Sequence, residues 1–285
     1  MTAPRTLLMA WNLRARKELG QNFLINQQIC RRIAEQAGID GDETVLEIGA
    51  GLGALTVAAA ARAGHVVAVE KDRRLVELLR TELLTAGITN VSVMQGDILR
   101  LDLEPLYQAA QRPLVVMGNL PYNISSQVLV KLMAHRPWVA RAVLMFQKEL
   151  AQRLSAPPGT KIYGRLSVLL QYCARIDALM DIDAAAFFPR PKVDSSVVAI
   201  RFYNPPTIPV RDETVLNMVV KAAFGQRRKT LKNALRGGQL GLDADTAARL
   251  LKAAAIDPAR RAETLTVAEF AALSDQIVLM KTNGV

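Results

Sequence analysis

Residues 45–56 read "VLEIGAGLGALT". A short apolar run meets closely spaced glycines and then residues that favour a helix, so the spacing predicts a strand, a tight turn and a helix in succession. Gly49 and Gly51 permit the turn and let the backbone approach a ligand closely, which puts a nucleotide-type site at the carboxyl edge of that first strand.

Outward from this turn, β-branched apolar runs alternate with amphipathic stretches. "TVLEIG", "HVVAVE", "NVSVMQGD", "PLVVMGNLP" and "RAVLMFQ" read as strands, and "ALTVAAAARA", "RRLVELLRTELLTAG" and "SSQVLVKLMAHR" as helices. The alternation predicts an α/β fold with a doubly wound, mostly parallel sheet. A helix at "LSVLLQYCARI" precedes the strand candidates "DALMDI" and "SSVVAIRFY" (195–203), which have no helix between them and predict a terminal antiparallel hairpin. "NPPTIPVRDE" (204–213) is proline-rich, and every periodic stretch beyond it reads as helix. The domain boundary is therefore expected there, with the site-bearing domain over 1–207 and a small all-helical domain over 208–285.

With 285 residues, 51% of them hydrophobic, the chain can bury a sizeable core. Lys and Arg outnumber Asp and Glu by 36 to 26, and the resulting net charge of +10 favours polyanionic partners such as nucleic acid. Cys30 and Cys173 lie far apart, and no CxxC or HxxxH spacing involves them or His65 and His135; buried thiols in a reducing compartment, and no metal site, are expected. "TLLMAW" is too short and interrupted for a secretory core, and no run reaches the ~18 apolar residues of a membrane span. The expectation is a cytoplasmic protein with no membrane association. The two histidines, flanking predicted elements, read as structural or solvated, and Trp11 and Trp138 as packing residues.

The glycine turn alone does not choose its nucleotide. Gly49-x-Gly51-x-x-Ala54, with Glu70 at the next strand end, suits NAD as well as S-adenosylmethionine (SAM). Glu47, two residues before the first glycine, favours a cationic cofactor over a pyrophosphate, which needs amide donors and positive charge. Glu70 can hold a ribose in either case. Asp97, in "QGD" (95–97), is placed to accept from an adenine amino group, while a turn or helix-capping role accounts for it equally well.

"MGNLPYNISS" (117–126) ends the fourth strand with residues that neither extend a sheet nor fill a core. An exocyclic adenine amine is a poor nucleophile because its lone pair is delocalised, so a catalyst must hold its hydrogens with fixed acceptors. The Asn119 amide oxygen and the Leu120 carbonyl, on a turn stiffened by Pro121, suit that task, and Tyr122 can stack on an extruded base. No strong general base is needed, because the methylated amine becomes acidic. Ser125 or Ser126 is expected to cap the next helix.

Between Glu213 and Asp243 no acid occurs, while Lys221, Arg227, Arg228, Lys229, Lys232 and Arg236 do. "GQRRKTLKNAL" (225–235) has helical spacing, which predicts a basic ridge, extended by Arg14, Arg16 and Lys17, that reads as a solvated face or as a surface for a polyanion.

Together these stretches resemble the ribosomal RNA adenine N6-dimethyltransferases, most closely the type acting on the small subunit. "KELGQNFL" (17–24) is similar to the family's N-terminal signature, "EIGAGLGALT" to its glycine loop and "NLPYNISS" to its catalytic loop. "FQKELAQRL" (146–154), "YGRLSVLLQ" (163–171) and "FFPRPKVDSSVV" (187–198) are similar to its later signatures; Glu18 departs from the usual residue, and the resemblance is silent on roughly the first dozen residues. The resemblance implies a Rossmann-like SAM-dependent methyltransferase sheet with a helical RNA-binding domain. It implies Gln21, Asn22, Leu24, Gly49, Gly51, Glu70, Asp97 and Asn119 as cofactor contacts, with Lys71 and Ile98 beside the two acids, and Phe187 as the ring that sandwiches the adenine against Tyr122. The implied substrate is a pair of adjacent adenosines in the hairpin loop near the 3′ end of 16S ribosomal RNA, within a small-subunit assembly intermediate. A monomer is expected. The rival readings are a large-subunit, macrolide-resistance type of methyltransferase, a non-catalytic assembly or transcription factor on the same fold, and an NAD-dependent dehydrogenase.

Overall fold

The computed structural model describes residues 3–236 and 238–282. Helix α1 (Pro4–Ala10), the two-residue strand β1 (Phe23–Leu24) and helix α2 (Gln27–Gln36) precede the main sheet. The alternating region then runs β2 (Thr44–Ile48), α3 (Ala54–Ala60), β3 (His65–Glu70), α4 (Arg73–Thr85), β4 (Val91–Gln95), α5 (Glu104–Ala110), β5 (Leu114–Asn119), α6 (Ser125–Ala134) and β6 (Val139–Gln147). Helices α7 (Lys148–Leu154) and α8 (Arg165–Cys173) lead to β7 (Ala174–Ile182), the short β8 (Phe187–Phe188) and β9 (Ser195–Phe202).

The chain divides into two compact units, the first formed by residues 1–151 and 175–202. Its seven-stranded sheet has the order β4-β3-β2-β5-β6-β9-β7. Pairs β2–β3, β3–β4, β2–β5 and β5–β6 are parallel, and β9 runs antiparallel to β6. The central strands are apolar on both faces because helices cover both: Val45, Leu46, Val115 and Val116 are fully buried. Helix α4 shows how the local code works. Asp72 caps it by accepting from the Arg74 N–H, and Leu75, Val76, Leu78, Leu79 and Leu83 recur at helical spacing to bury one face. At Gly118 strand β5 passes so close to β2 that an added Cβ would lie 2.6 Å from the Ile48 carbonyl oxygen.

The second unit, residues 152–174 and 203–285, contains α8 together with α9 (Glu213–Gly225), α10 (Leu231–Ala234), α11 (Ala244–Ala253) and α12 (Val267–Thr282). Helix α8 packs on α9 and α12, so the proline-rich segment marks the second of two crossings between units. An apolar helical stripe does not say which core it fills, and the sequence therefore grouped α8 with the sheet.

Three local expectations change. "GQRRKTLKNAL" is not one helix: α9 stops at Gly225, Gln226 leaves the helical region at φ −133° and ψ 68°, and Thr230 is extended before α10. The first amides of α10 turn to other partners, Leu231 N–H donating to the Arg260 carbonyl at 2.7 Å and Lys232 N–H to that of Pro258 at 3.3 Å. Neither serine caps α6 through its side chain; Ser125 is its first residue, and its hydroxyl donates back to the Pro121 carbonyl at 3.0 Å. Trp11 is exposed, whereas Trp138 stacks on Tyr107 with centroids 6.0 Å apart. His65 meets Ser92 Oγ at 3.0 Å, and His135 Nδ1 donates to the Lys131 carbonyl at 2.8 Å, both structural contacts.

Candidate active site

The chain leaves β2 for β3 and β4 on one side and returns to β5 and β6 on the other, so strand order reverses between β2 and β5. Open α/β sheets bind ligands at the carboxyl ends beside such a reversal. Gly49 and Asn119 meet there, a Cβ on Gly49 falling 3.8 Å from the Asn119 carbonyl oxygen. Gly49 and Gly51 have φ of +74° and +56°, backbone that side-chain-bearing residues rarely adopt. At Gly51 a Cβ would also press on the Phe23 ring at 3.1 Å.

One cavity opens at this edge, walled by residues 18–24, 47–52, 69–71 and 96–98 and closed by the Asn119–Ile124 turn. Every residue expected at the cofactor lines it: Gln21, Asn22, Leu24, Gly49, Gly51, Glu70, Lys71, Asp97, Ile98 and Asn119.

The three acids differ in state. Glu70 is buried and accepts from the Gly51 N–H at 2.9 Å through one oxygen and from the Asp72 N–H at 2.8 Å through the other, while burial raises its pKa. Asp97 is held below the usual carboxylate range by Lys71, whose Nζ donates to it at 2.8 Å, and its second oxygen accepts from the Leu99 N–H at 3.0 Å. Asp97 is therefore a turn-capping residue and a cavity residue at once. Glu47 is 1% exposed, and burial pushes its pKa up to about 8. Its Oε2 has no hydrogen-bond partner among the described residues, although Glu47 borders the cavity. The Thr56 hydroxyl opposes the rise without a close hydrogen bond to it, and a buried carboxyl so weakly satisfied costs free energy unless something hydrogen-donating or cationic meets it, which fits a cofactor bearing an ammonium group.

Asn119 Nδ2 donates to the Asn22 carbonyl at 2.8 Å. That bond fixes the amide orientation and directs the carboxamide oxygen elsewhere. The Leu120 side chain is buried, and its N–H bonds to the Met145 carbonyl at 3.3 Å, anchoring the turn to β6. Tyr122 is half-buried, with its hydroxyl 3.4 Å from Ser195 Oγ. Phe187 is 3% exposed with its ring in the sheet's hydrophobic core, and like Leu120 and Tyr122 it is not among the residues that wall the cavity. Strand β8 pairs with β1, Leu24 facing Phe187 and Phe23 facing Phe188, so the N-terminal signature and the late signature meet at this site. Two-residue strands have no period to detect, and neither this ladder nor the Asn22–Asn119 bond has a local sequence signal.

The basic residues do not form one ridge. Arg227, Arg228 and Lys229 occupy the turn between α9 and α10. Arg227 Nη2 donates to the Lys161 and Tyr163 carbonyls at 2.8 and 3.2 Å and lies 3.5 Å from Glu263, so it fastens the loop over 161–163. Arg228, Lys229 and Arg236 are exposed, Lys232 is half-buried, and Lys221 Nζ donates to Gln239 Oε1 at 3.3 Å. Of the N-terminal cations, Arg16 lies 3.8 Å from Glu18 and 3.9 Å from Asp72.

A parallel sheet with an antiparallel strand inserted next to its last parallel one, a glycine turn at the reversal and acids at the next two strand ends define a SAM-dependent methyltransferase of the Rossmann-like class. A dinucleotide fold instead continues with parallel strands. The chain belongs to the ribosomal RNA adenine dimethylase family, which it matches over residues 12–273. A ribosomal RNA small subunit methyltransferase A from Desulforapulum autotrophicum is 50% identical over 277 residues, covering 97% of each chain. Among solved structures, a dimethyladenosine transferase from Plasmodium falciparum is 26% identical with a TM-score of 0.77, covering 92% of this chain and 98% of its own. The 23S rRNA methyltransferase ErmE is also 26% identical, with a TM-score of 0.67 over 90% of this chain and all of its own.

Proposed function

We propose that the cavity holds S-adenosylmethionine and that the Asn119–Tyr122 turn presents adenosine N6 to it. The protein then dimethylates two adjacent adenosines of the 3′-terminal hairpin loop of 16S ribosomal RNA, acting as a cytoplasmic monomer on a small-subunit assembly intermediate. The observation that carries this reading is the Asn119 amide, whose nitrogen is engaged by Asn22 and whose oxygen is left to accept. Bound SAM supplies an electrophilic methyl group and leaves as S-adenosylhomocysteine. The Asn119 oxygen and the Leu120 carbonyl accept hydrogens of the amine, so that its lone pair faces the methyl carbon. As the new N–C bond forms, the nitrogen becomes positively charged and its excess proton passes to one of these acceptors and on to water. Glu70 holds the ribose and Asp97 the adenine amine of the cofactor, Gln21, Asn22 and Leu24 close over it, and Lys71 and Ile98 flank it. Tyr122 stacks on the target base, and Phe187 is the ring proposed for its other face. Arg228, Lys229, Lys232, Arg236 and Lys221 contact RNA phosphates, and the shape of the RNA sets specificity.

The small-subunit assignment rests on the 50% identity to a small-subunit enzyme, against 26% to a 23S enzyme. The test is methyl transfer from labelled SAM to unmodified small-subunit particles and to large-subunit RNA, followed by mass spectrometry of nucleosides. Dimethyladenosine in the small-subunit RNA is expected. Product confined to large-subunit RNA, or binding without release of S-adenosylhomocysteine, overturns the reading. Asn119→Ala should lower turnover by about 100-fold or more. Because it also removes the bond to Asn22, it should weaken SAM binding by about five-fold, the worth of one hydrogen bond. Full turnover in this variant removes the role given to the asparagine.

A further inference from the structure

Helix α1 lies N-terminal to the stretch 12–273 that matches the family. It docks through Leu7 and Leu8, each 4% exposed, into a cluster with Phe23, Leu52, Leu75 and Leu78. Two of these, Phe23 and Leu52, also wall the cavity. The Phe23 ring lies against Gly51, where even a Cβ would come within 3.1 Å of it, so the position of this ring helps set the shape of the glycine turn. Beyond α1 the chain turns back, Leu13 N–H donating to the Leu8 carbonyl at 2.7 Å. It then ties the lid from the same side: Arg16 N–H donates to Gln21 Oε1 at 2.8 Å, and Gln21 Nε2 donates to Asp72 Oδ2 at 3.4 Å.

We propose that α1 is a positioning element for the cofactor, with Leu7 and Leu8 bracing Phe23 and Leu52 from behind so that the lid over residues 18–24 is formed before SAM arrives. The inference rests on the reading of the cavity as the SAM site. Within the lid Leu24 packs in the sheet's core, but Phe23 packs in the cluster that Leu7 and Leu8 complete, so that side of the two-residue strand depends on α1. Without α1, ordering it falls on the binding step and weakens affinity, whereas a preformed lid spares that cost. The effect should fall on SAM and not on RNA, because the braced residues wall the cofactor cavity and are remote in sequence from the basic turn.

The test compares the full chain with Leu7→Ala/Leu8→Ala and with a deletion of residues 2–10, using calorimetric titration with SAM and steady-state kinetics with RNA. Leu7→Ala alone is the milder second variant, in case the others fold poorly. Exposed Met9→Ala is the control, and Leu7→Met/Leu8→Met should rescue. The expected result is a rise in SAM Kd and KM of about ten-fold, the affinity lost when a lid must be ordered on binding, with KM for RNA unchanged. A lower melting temperature without SAM, accompanied by an unchanged SAM Kd, overturns the proposal and leaves α1 a purely stabilising helix. A wild-type chain that binds no SAM instead defeats the cavity reading and the inference with it.

Discussion

Glu47 is the residue where burial and charge conflict most. With its pKa pushed up to about 8, its carboxyl is protonated at neutral pH in the free protein. A cationic ligand in the cavity that Glu47 borders favours the carboxylate, so binding should release a proton below about pH 8. The affinity for SAM should therefore rise with pH, by up to about ten-fold per unit, and level off above that value. The fold responds in the opposite sense: the native state holds the proton more tightly than the unfolded chain, so stability falls as pH rises from the ordinary glutamate range of 4.5 towards 8. Glu47→Gln should weaken binding and reduce both dependences, leaving the part due to Glu70, whose pKa burial also raises. Calorimetry in two buffers of different ionisation enthalpy checks it, and identical pH profiles for the two proteins would remove Glu47 from the site. The sequence indicated this residue because a carboxylate beside a glycine turn is awkward for a phosphate. The burial of Phe187 was not legible, because it depends on pairing with Leu24, a partner remote in sequence. Asp97 was legible only as two alternatives; its capping bond to the Leu99 N–H is present, and the residue also lines the cavity.

Among the elements, most strands and helices from β2 to β6 follow the hydrophobic period, because the central strands are buried on both faces and helices such as α4 on one, while the edge strand β4 buries no residue fully. What escaped detection was mostly short or decided by distant partners: β1 and β8, the break before α10, and α5, whose short polar sequence has little periodicity; α2 was missed too, although Asn26 caps it and Cys30, Ile33 and Ala34 bury one face. Gly118 shows how tightly the elements at the reversal are fitted. Gly118→Ala must push β5 from β2, since its Cβ would lie 2.6 Å from the Ile48 oxygen. The expected cost is about 2 kcal/mol, read as a fall in melting temperature of roughly 5 °C. Turnover should fall as well, because the same wedge moves Asn119 relative to Gly49. An unaltered melting temperature would mean that the two strands separate freely there.

For the whole molecule, the net charge of +10 matters only where cations are left to meet a partner. Arg228→Ala and Lys229→Ala should each weaken RNA binding and reduce the slope of log affinity against log salt by about one. Arg227→Ala should mainly lower the melting temperature, because its guanidinium holds the Lys161 and Tyr163 carbonyls. Filter binding across a salt series, with thermal unfolding alongside, separates the two effects; equal slopes for all three variants would contradict it. The two-unit organisation was partly legible: the proline-rich segment marks one crossing, while the earlier one carries no such signal. The insertion of β9 has a consequence for the order of events as the chain is made. Because β9 lies between β6 and β7, the strand synthesised last takes a place between two already present. Until residues 195–202 emerge, β6 keeps an open hydrogen-bonding edge, the kind of surface on which nascent chains aggregate. A ribosome stalled before Ser195 should therefore hold a chain that is sensitive to protease and captured by chaperones, and one stalled well beyond Phe202 a chain that is resistant.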